Sequence, residues 1–304
     1  MGKIAFVFAG QGAQSVGMGQ DLYAYSRGAK ALFDMAEGHR NGIMTLCFHG
    51  PKAELDVTIN TQPALFLTDL ACATALGEKG IAADGAAGFS LGEVPAACYA
   101  GLVQSAQGFD FVCRRAEAMQ ACAQAHKGAM FAVLKLSASE VEALCAGVAQ
   151  AYPVNYNCEG QTVVACAEDS AEALKQAVTE RGGRALKLAV SGAFHSPMMD
   201  AASVAIAQYL ADERFGAMRV PLYANATAKV YGDPGALLSR QVNHPVLWQK
   251  TIENMISEGF DTFIEVGPGK TLSGLIKNID SSVRTHGVWD VASLESTVEA
   301  LEHA

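Results

Sequence analysis

The stretch Gly88-Phe89-Ser90-Leu91-Gly92 constrains this chain more than any other. An apolar lead-in, Gly85-Ala86-Ala87, precedes it, and a helix-permissive run from Glu93 to Tyr99 follows. A G-x-S-x-G pentapeptide in that setting reads as a nucleophile elbow: a strand ends, the backbone turns sharply and a helix begins. Glycines at 88 and 92 keep side chains out of the crowded turn. Ser90 Oγ then stands clear at a helix N-terminus, where N–H groups and the helix dipole favour a developing oxyanion. The competing reading is an ordinary turn serine, since a chain with 30 Gly produces such patterns by chance.

The 304 residues allow one large domain, or one domain carrying a smaller insertion. Half are hydrophobic and 17% are charged, enough for a substantial core. A formal net charge of −9 argues against nucleic acid as the main partner, and an acidic protein partner would need a local basic patch. The eight Cys are scattered with no C-x-x-C pair, and read as buried reduced thiols of a cytoplasmic protein. No His/Cys spacing suggests a metal site. The N-terminus lacks the pattern of a signal peptide, and no 18-residue apolar stretch free of charge occurs.

Ile4 to Phe8 is an unbroken apolar run, suited to a strand buried on both faces of a parallel sheet. The loop Ala9-Gly10-Gln11-Gly12-Ala13-Gln14 follows; it is either a plain strand-to-helix turn or a place where backbone approaches a ligand. Residues 21–48 read as mostly helical, and Thr61 to Gly77 as a long apolar helix beginning at Gln62-Pro63. Ser105 to Ala125 is a further helix with two adjacent arginines. Arg114 shares a face with Asp110 and Glu117, a solvated, charge-paired row. Arg115 lies in an apolar row with Phe111, Ala118, Met119 and Cys122 and should point inward, where it needs an anionic partner. That makes it either half of a structural ion pair or a carboxylate-binding group with the bidentate fork of arginine.

From about residue 128 the pattern becomes strand 130–136, helix 139–149, strands 154–157 and 162–167, helix 170–181 and strand 185–190. This β-α-β-β-α-β order is ferredoxin-like and reads as a small insertion. The main pattern resumes at Ser191-Gly192-Ala193-Phe194-His195-Ser196-Pro197, where Ser196 and Pro197 suit the N-cap and first position of a helix through Leu210. His195 thus sits in a tight loop before a helix cap; a lone loop histidine is otherwise an exposed bystander. Thr262 to Val266 is a buried strand, and the Gly269-Lys270-Thr271 that follows lacks the first glycine of a phosphate loop.

Seven landmarks in order give the chain a resemblance that runs nearly end to end: Phe8 to Gln14; Gly88 to Glu93; Arg115 to Gln120; Pro153 to Asn157 with Gly160-Gln161; Ala193 to Met198; Gln241 to Trp248; and Glu265 to Lys270. Together they resemble the malonyl-CoA:acyl carrier protein transacylases of bacterial fatty acid synthesis. The resemblance implies an α/β fold: a large α/β-hydrolase-like acyltransferase domain with a parallel sheet core, residues 1–126 and 192–304, and an inserted ferredoxin-like subdomain, residues 127–191. It implies malonyl transfer from malonyl-CoA to the phosphopantetheine thiol of acyl carrier protein, by a cytoplasmic monomer without metal or other cofactor. Ser90 would be the acylated nucleophile and His195 its base, held by a backbone carbonyl at Gln241 rather than by an Asp. The N–H groups of Gln11 and Leu91 would form the oxyanion hole, Arg115 would hold the malonyl carboxylate, and Met119, Phe194 and Val266 would support the site. Several positions depart from the family pattern. Phe89 stands where His is common and Ala9 where Pro is usual; Glu159 and Cys166 replace a usual Pro and Gly, and Pro95 is unusual after the elbow. The same chemistry would serve a polyketide carrier. A serine hydrolase is a third reading, against which an inward Arg115 speaks, because hydrolysis needs no carboxylate clamp.

Overall fold

The apolar run near the N-terminus forms the central strand of a parallel sheet. The computed structural model describes residues 2–303. Its strands are β1 (Lys3–Phe8), β2 (Gly85–Gly88), β3 (Gly128–Leu134), β4 (Ala151–Cys158), β5 (Gln161–Ala167), β6 (Arg184–Lys187), β7 (Leu222–Tyr223), β8 (Phe260–Val266) and β9 (Arg284–Val288). Five of them make one sheet in the order β7-β2-β1-β8-β9, every neighbouring pair parallel. Ala5, Phe6, Val7 and Phe8 are fully buried because both faces of β1 are covered, which is why the run does not alternate. The chain leaves β1 toward β2 on one side and β8 lies on the other. Loops from the carboxyl ends of β1, β2 and β8 therefore converge at a topological switch point, where sheets of this kind bind ligands.

The remaining four strands form an antiparallel sheet in the order β4-β5-β3-β6. Helices Ala138–Cys145 and Ala171–Glu180 cover one face, packing Val141, Leu144, Leu174 and Val178 on Phe131, Val133 and Val164. Alternation along β3 and β5 turns Met130, Ala132, Val163 and Ala165 the other way, toward the main core. The β4 edge is tied to the segment before helix Trp248–Ser257: Tyr156 N–H donates to Val246 O at 3.0 Å and Val246 N–H to Val154 O at 2.8 Å.

The helix expected from Thr61 runs Thr58–Glu78, so Pro63 lies inside it. Proline there denies Ile59 O its helical donor. Arg40 Nη1 donates to that carbonyl at 2.7 Å and satisfies it, which lets the helix start early. Residues 21–48 are three helices, Gln20–Tyr25, Arg27–His39 and Ile43–His49, and the strand expected at 185–190 ends at Lys187. The helix Ser105–Ala125 has the expected bounds. Its exposed row pairs differently from expectation: Arg114 contacts Glu117 at 3.0 Å, while Asp110 pairs with His39 at 2.9 Å. No helix among the described residues is long and apolar enough to cross a membrane, and none of their His, Cys, Asp and Glu form a group of three that could hold a metal ion.

Candidate active site

β2 ends at Gly88, a 3-10 turn spans Ser90–Gly92 and a helix follows from Glu93 to Tyr99. The turn is too tight for side chains at its ends. A Cβ on Gly88 would lie 2.0 Å from the Gly92 carbonyl carbon, and one on Gly92 would lie 2.2 Å from Phe8 O. Between them Ser90 takes a φ of 54°, a left-handed conformation that a serine holds only when its surroundings impose it. Those surroundings are Asn225, whose Oδ1 accepts from Ser90 N at 2.8 Å and whose Nδ2 donates to Gly88 O at 2.6 Å.

His195 reaches Ser90 from the loop before the capped turn Pro197–Met199, its own φ being 63°. Its N–H donates to Val242 O at 2.9 Å, which seats the loop on the segment that follows helix Pro234–Arg240. Nε2 lies 2.7 Å from Ser90 Oγ, and Nδ1 lies 2.9 Å from Gln241 O and 3.2 Å from His244 O. Two carbonyls can only accept, so the proton of the neutral ring sits on Nδ1 and Nε2 is left to accept from the serine. Burial, with the Arg115 charge beside it, pushes the His195 pKa down to about 4, against the opposing pull of the two carbonyls. The imidazole is therefore neutral and basic across the physiological range. If Ser90 is acylated with His195 as its base, the rate should stay flat as pH falls from 8 to well below the ordinary histidine value near 6.5, and drop only as pH approaches about 4, where the imidazole becomes protonated. Single-turnover acylation against pH, run beside Glu93→Gln to remove the titration of the buried Glu93 carboxyl, measures this; an acid limb at 6.5 or above that persists in the variant would contradict the assignment.

Arg115 is 1% exposed, and no ion pair within the described residues includes it. The expected anionic partner is replaced by neutral amides: Nη1 donates to Gln62 Oε1 at 2.6 Å and Nη2 to Gln241 Oε1 at 2.7 Å. Nη2 is also 3.4 Å from Ser90 Oγ, and Nε is buried without a partner. Gln62 Nε2 donates in turn to Met119 Sδ at 3.5 Å, so Met119 helps orient the amide that orients the arginine. Burial pushes the Arg115 pKa down to about 10, with Glu93 the main opposing influence, so the guanidinium keeps its charge near neutral pH. Glu93 itself is pushed up to about 7 by burial, while its donors Tyr231, Asn225 and Gln241 and the Arg115 charge pull the other way.

The loop after β1 supplies the remaining wall. Gln11 Nε2 donates to Thr58 Oγ1 at 3.2 Å, and no backbone acceptor among the described residues takes the Gln11 N–H. Leu91 N–H lies in the first turn of a helical segment, where no acceptor of the helix itself is available. Ser90, His195, Arg115, Gln11, Met119 and Phe194 all line one cavity of about 260 Å³ between the two sheets. Gln241 stands behind it, bonded to Arg115 and His195. Val266 does not reach the cavity: its side chain is in the main core and its carbonyl accepts from Ala9 N at 3.2 Å, anchoring the start of the Gln11 loop. Its neighbour Glu265 lines the cavity instead. Phe89 also lines it, its ring edge-on to Trp248 at 5.4 Å. A more open cleft of about 690 Å³, beside Tyr152 and Pro197, contains none of the Ser90, His195 and Arg115 groups.

Sequence reasoning did not single out Gln62, Glu93, Asn225 and Tyr231, or the two asparagines of β4. Asn155 and Asn157 are each 5% exposed, line the cavity and have Oδ1 atoms without a partner. A polar Gln62 within an otherwise apolar helix and a glutamate directly after the elbow were the available signals.

The arrangement is a serine–histidine pair with a buried cation and the unbonded Gln11 N–H in one cavity, Leu91 being buried beside it without lining it, and it is suited to acyl transfer through a covalent ester. A family model described as an acyl transferase domain matches residues 5–294. The chain is 36% identical to the malonyl CoA-acyl carrier protein transacylase of Bacillus subtilis, over 99% of this chain and 98% of that protein. It is 33% identical to the protein of the same name from Escherichia coli K12, over 98% and 100%. Among solved structures, the malonyl CoA-acyl carrier protein transacylase of Clostridium perfringens superposes with a TM-score of 0.95 at 35% identity, covering 99% and 98% of the two chains. A malonyl-transacylase in complex with its type II PKS acyl-carrier protein superposes at 0.94 with 34% identity, covering 98% and 99%.

Proposed function

The chain belongs to the acyl transferase domain family, and from that premise we propose that it moves a malonyl group from malonyl-CoA to the phosphopantetheine thiol of acyl carrier protein, through a malonyl ester on Ser90. The observation that carries the reading is the buried Arg115, whose hydrogen bonds go only to neutral groups: two amide oxygens and, at 3.4 Å, the nucleophile itself. A cation so placed favours an acyl group with a carboxylate of its own. An acetyl chain would leave it facing nothing.

Ser90 Oγ gives its proton to His195 Nε2 and attacks the thioester carbon. The carbonyl oxygen, now an oxyanion, takes hydrogen bonds from Gln11 N–H and Leu91 N–H, and such a donor is worth about 3–4 kcal/mol in comparable sites. The C–S bond breaks, and His195 returns the proton to the leaving coenzyme A sulfur. The carrier thiol then enters, loses its proton to His195 and attacks the malonyl ester. Ser90 leaves and recovers the proton. Asn155 and Asn157 offer polar groups on the cavity wall to the arm that carries the thiol. The antiparallel sheet, in our reading a ferredoxin-like insertion spanning 127–191, supplies that wall and helps keep water from the ester.

The carrier belongs to fatty acid chain elongation in this reading. The likeness to a malonyl-transacylase bound to a type II PKS acyl-carrier protein favours a polyketide carrier as the second. Malonyl-CoA incubated with the enzyme and either carrier protein should yield malonyl-carrier far faster than free malonate, and the better carrier decides between the two. Hydrolysis without carrier as fast as transfer with it would overturn the reading in favour of a hydrolase.

A further inference from the structure

We propose that Glu93 is a positioning residue for the carboxylate clamp: it acts on Arg115 through the amide of Gln241, and so contributes to the preference for an anionic acyl group. The inference rests on the malonyl-transfer reading. Glu93 opens the helix behind the elbow and is 1% exposed. Its Oε1 accepts from Tyr231 OH, and its Oε2 accepts from Asn225 N at 3.1 Å and Gln241 Nε2 at 3.2 Å.

Gln241 is where the three functional groups meet. Its backbone carbonyl holds His195 Nδ1, its Nε2 donates to Ser90 O at 2.5 Å and to Asn225 Oδ1 at 3.2 Å, and its Oε1 receives Arg115 Nη2. A primary amide has two nearly isosteric orientations, and its neighbours choose between them. In the observed one, NH2 faces acceptors only and the carbonyl faces a guanidinium. Turned over, the carbonyl would face Glu93 Oε2, Ser90 O and Asn225 Oδ1, and NH2 would face the arginine. Of those three acceptors Glu93 alone bears an ionisable charge. It also anchors Asn225, which holds the Ser90 turn. Removing Glu93 takes away the one charged acceptor of the amide NH2, so Gln241 is held less firmly and the bond from Arg115 Nη2 to its Oε1 is aimed less precisely. The other two acceptors remain, so the effect falls on selectivity rather than on folding alone.

The test compares malonyl-CoA with acetyl-CoA in Ser90 loading. Glu93→Met removes the acceptor, and the malonyl-over-acetyl ratio of kcat/KM should fall about tenfold, the scale of one hydrogen bond to a charged group. Glu93→Gln should restore most of the ratio, because its amide oxygen can take the place of Oε2 while its NH2 faces the Tyr231 hydroxyl. Combining Glu93→Gln with Tyr231→Phe removes that arrangement and should lower the ratio again, and this pair decides the matter where Glu93→Met does not fold. A wild-type ratio in folded Glu93→Met or in the folded double variant, or equal losses for both substrates, would overturn the inference. Unmodified protein that takes no malonyl would instead overturn the malonyl-transfer reading.

Discussion

Exchanging His195 for alanine is expected to slow acylation of Ser90 by about 10⁴-fold or more, the scale seen when the base of a serine acyl-transfer site is removed. No other base stands ready. The His195 contact is 2.7 Å, and among the described residues the only other side-chain group bonded to Ser90 Oγ is the Arg115 guanidinium, which cannot take a proton. The imidazole is oriented by the carbonyls of Gln241 and His244 rather than by a carboxylate, so both contacts come from backbone that the surrounding fold holds. That arrangement orients the ring without adding a negative charge that would raise its pKa, consistent with a base kept neutral by burial. Rapid-quench measurement of the acyl-enzyme gives the rate, and urea unfolding checks that the variant is folded. A loss of less than tenfold in a folded variant would remove His195 from the role of base.

Arg115→Ala is expected to reverse the acyl preference. Malonyl loading should fall about 10²- to 10³-fold, the equivalent of two hydrogen bonds to a charged group, while acetyl loading holds or rises. Gln62 and Gln241 leave the guanidinium its charge, because neither amide neutralises it. The truncation has a structural cost as well, since two buried amide oxygens lose their donor at about 1–3 kcal/mol each. Comparing the two substrates within one variant cancels that cost. Arg115→Lys should recover only part of the malonyl rate, since a point charge cannot reproduce the fork. Parallel losses for malonyl and acetyl would show that Arg115 is structural and not a clamp.

The parts of the site that could be read from the sequence are those written in local pattern. The elbow is a pentapeptide between a strand and a helix, the inward direction of Arg115 follows from a helical row, and the turn at His195 is marked by Ser196 and Pro197. The residues that were missed act across long sequence separations. Gln62 lies 53 residues from Arg115, and Asn225 lies 135 residues from Ser90. No periodicity records such pairings; the packing of helix Thr58–Glu78 on helix Ser105–Ala125 creates the first, and the parallel pairing of β2 with β7 brings the segments of the second together. The expectation of an anion beside Arg115 is sound physics applied to the protein alone, whereas the buried guanidinium is hydrogen-bonded by amides that leave its charge in place. The early start of helix Thr58–Glu78 is hidden for a similar reason, because the carbonyl that Pro63 orphans is satisfied by Arg40, the residue that ends helix Arg27–His39. Val266, grouped with the site by its place in a motif, contributes through its carbonyl to the Gln11 loop rather than through its side chain.

Formation of the covalent ester at Ser90 is the step on which transfer depends. Intact-protein mass spectrometry after brief incubation with malonyl-CoA, beside Ser90→Ala treated identically, measures it. The unmodified protein should gain the mass of one malonyl group, peptide mapping should place it on Ser90, added carrier protein should discharge it, and the alanine variant should gain nothing. No adduct on the unmodified protein, or an equal adduct on Ser90→Ala, would contradict the account.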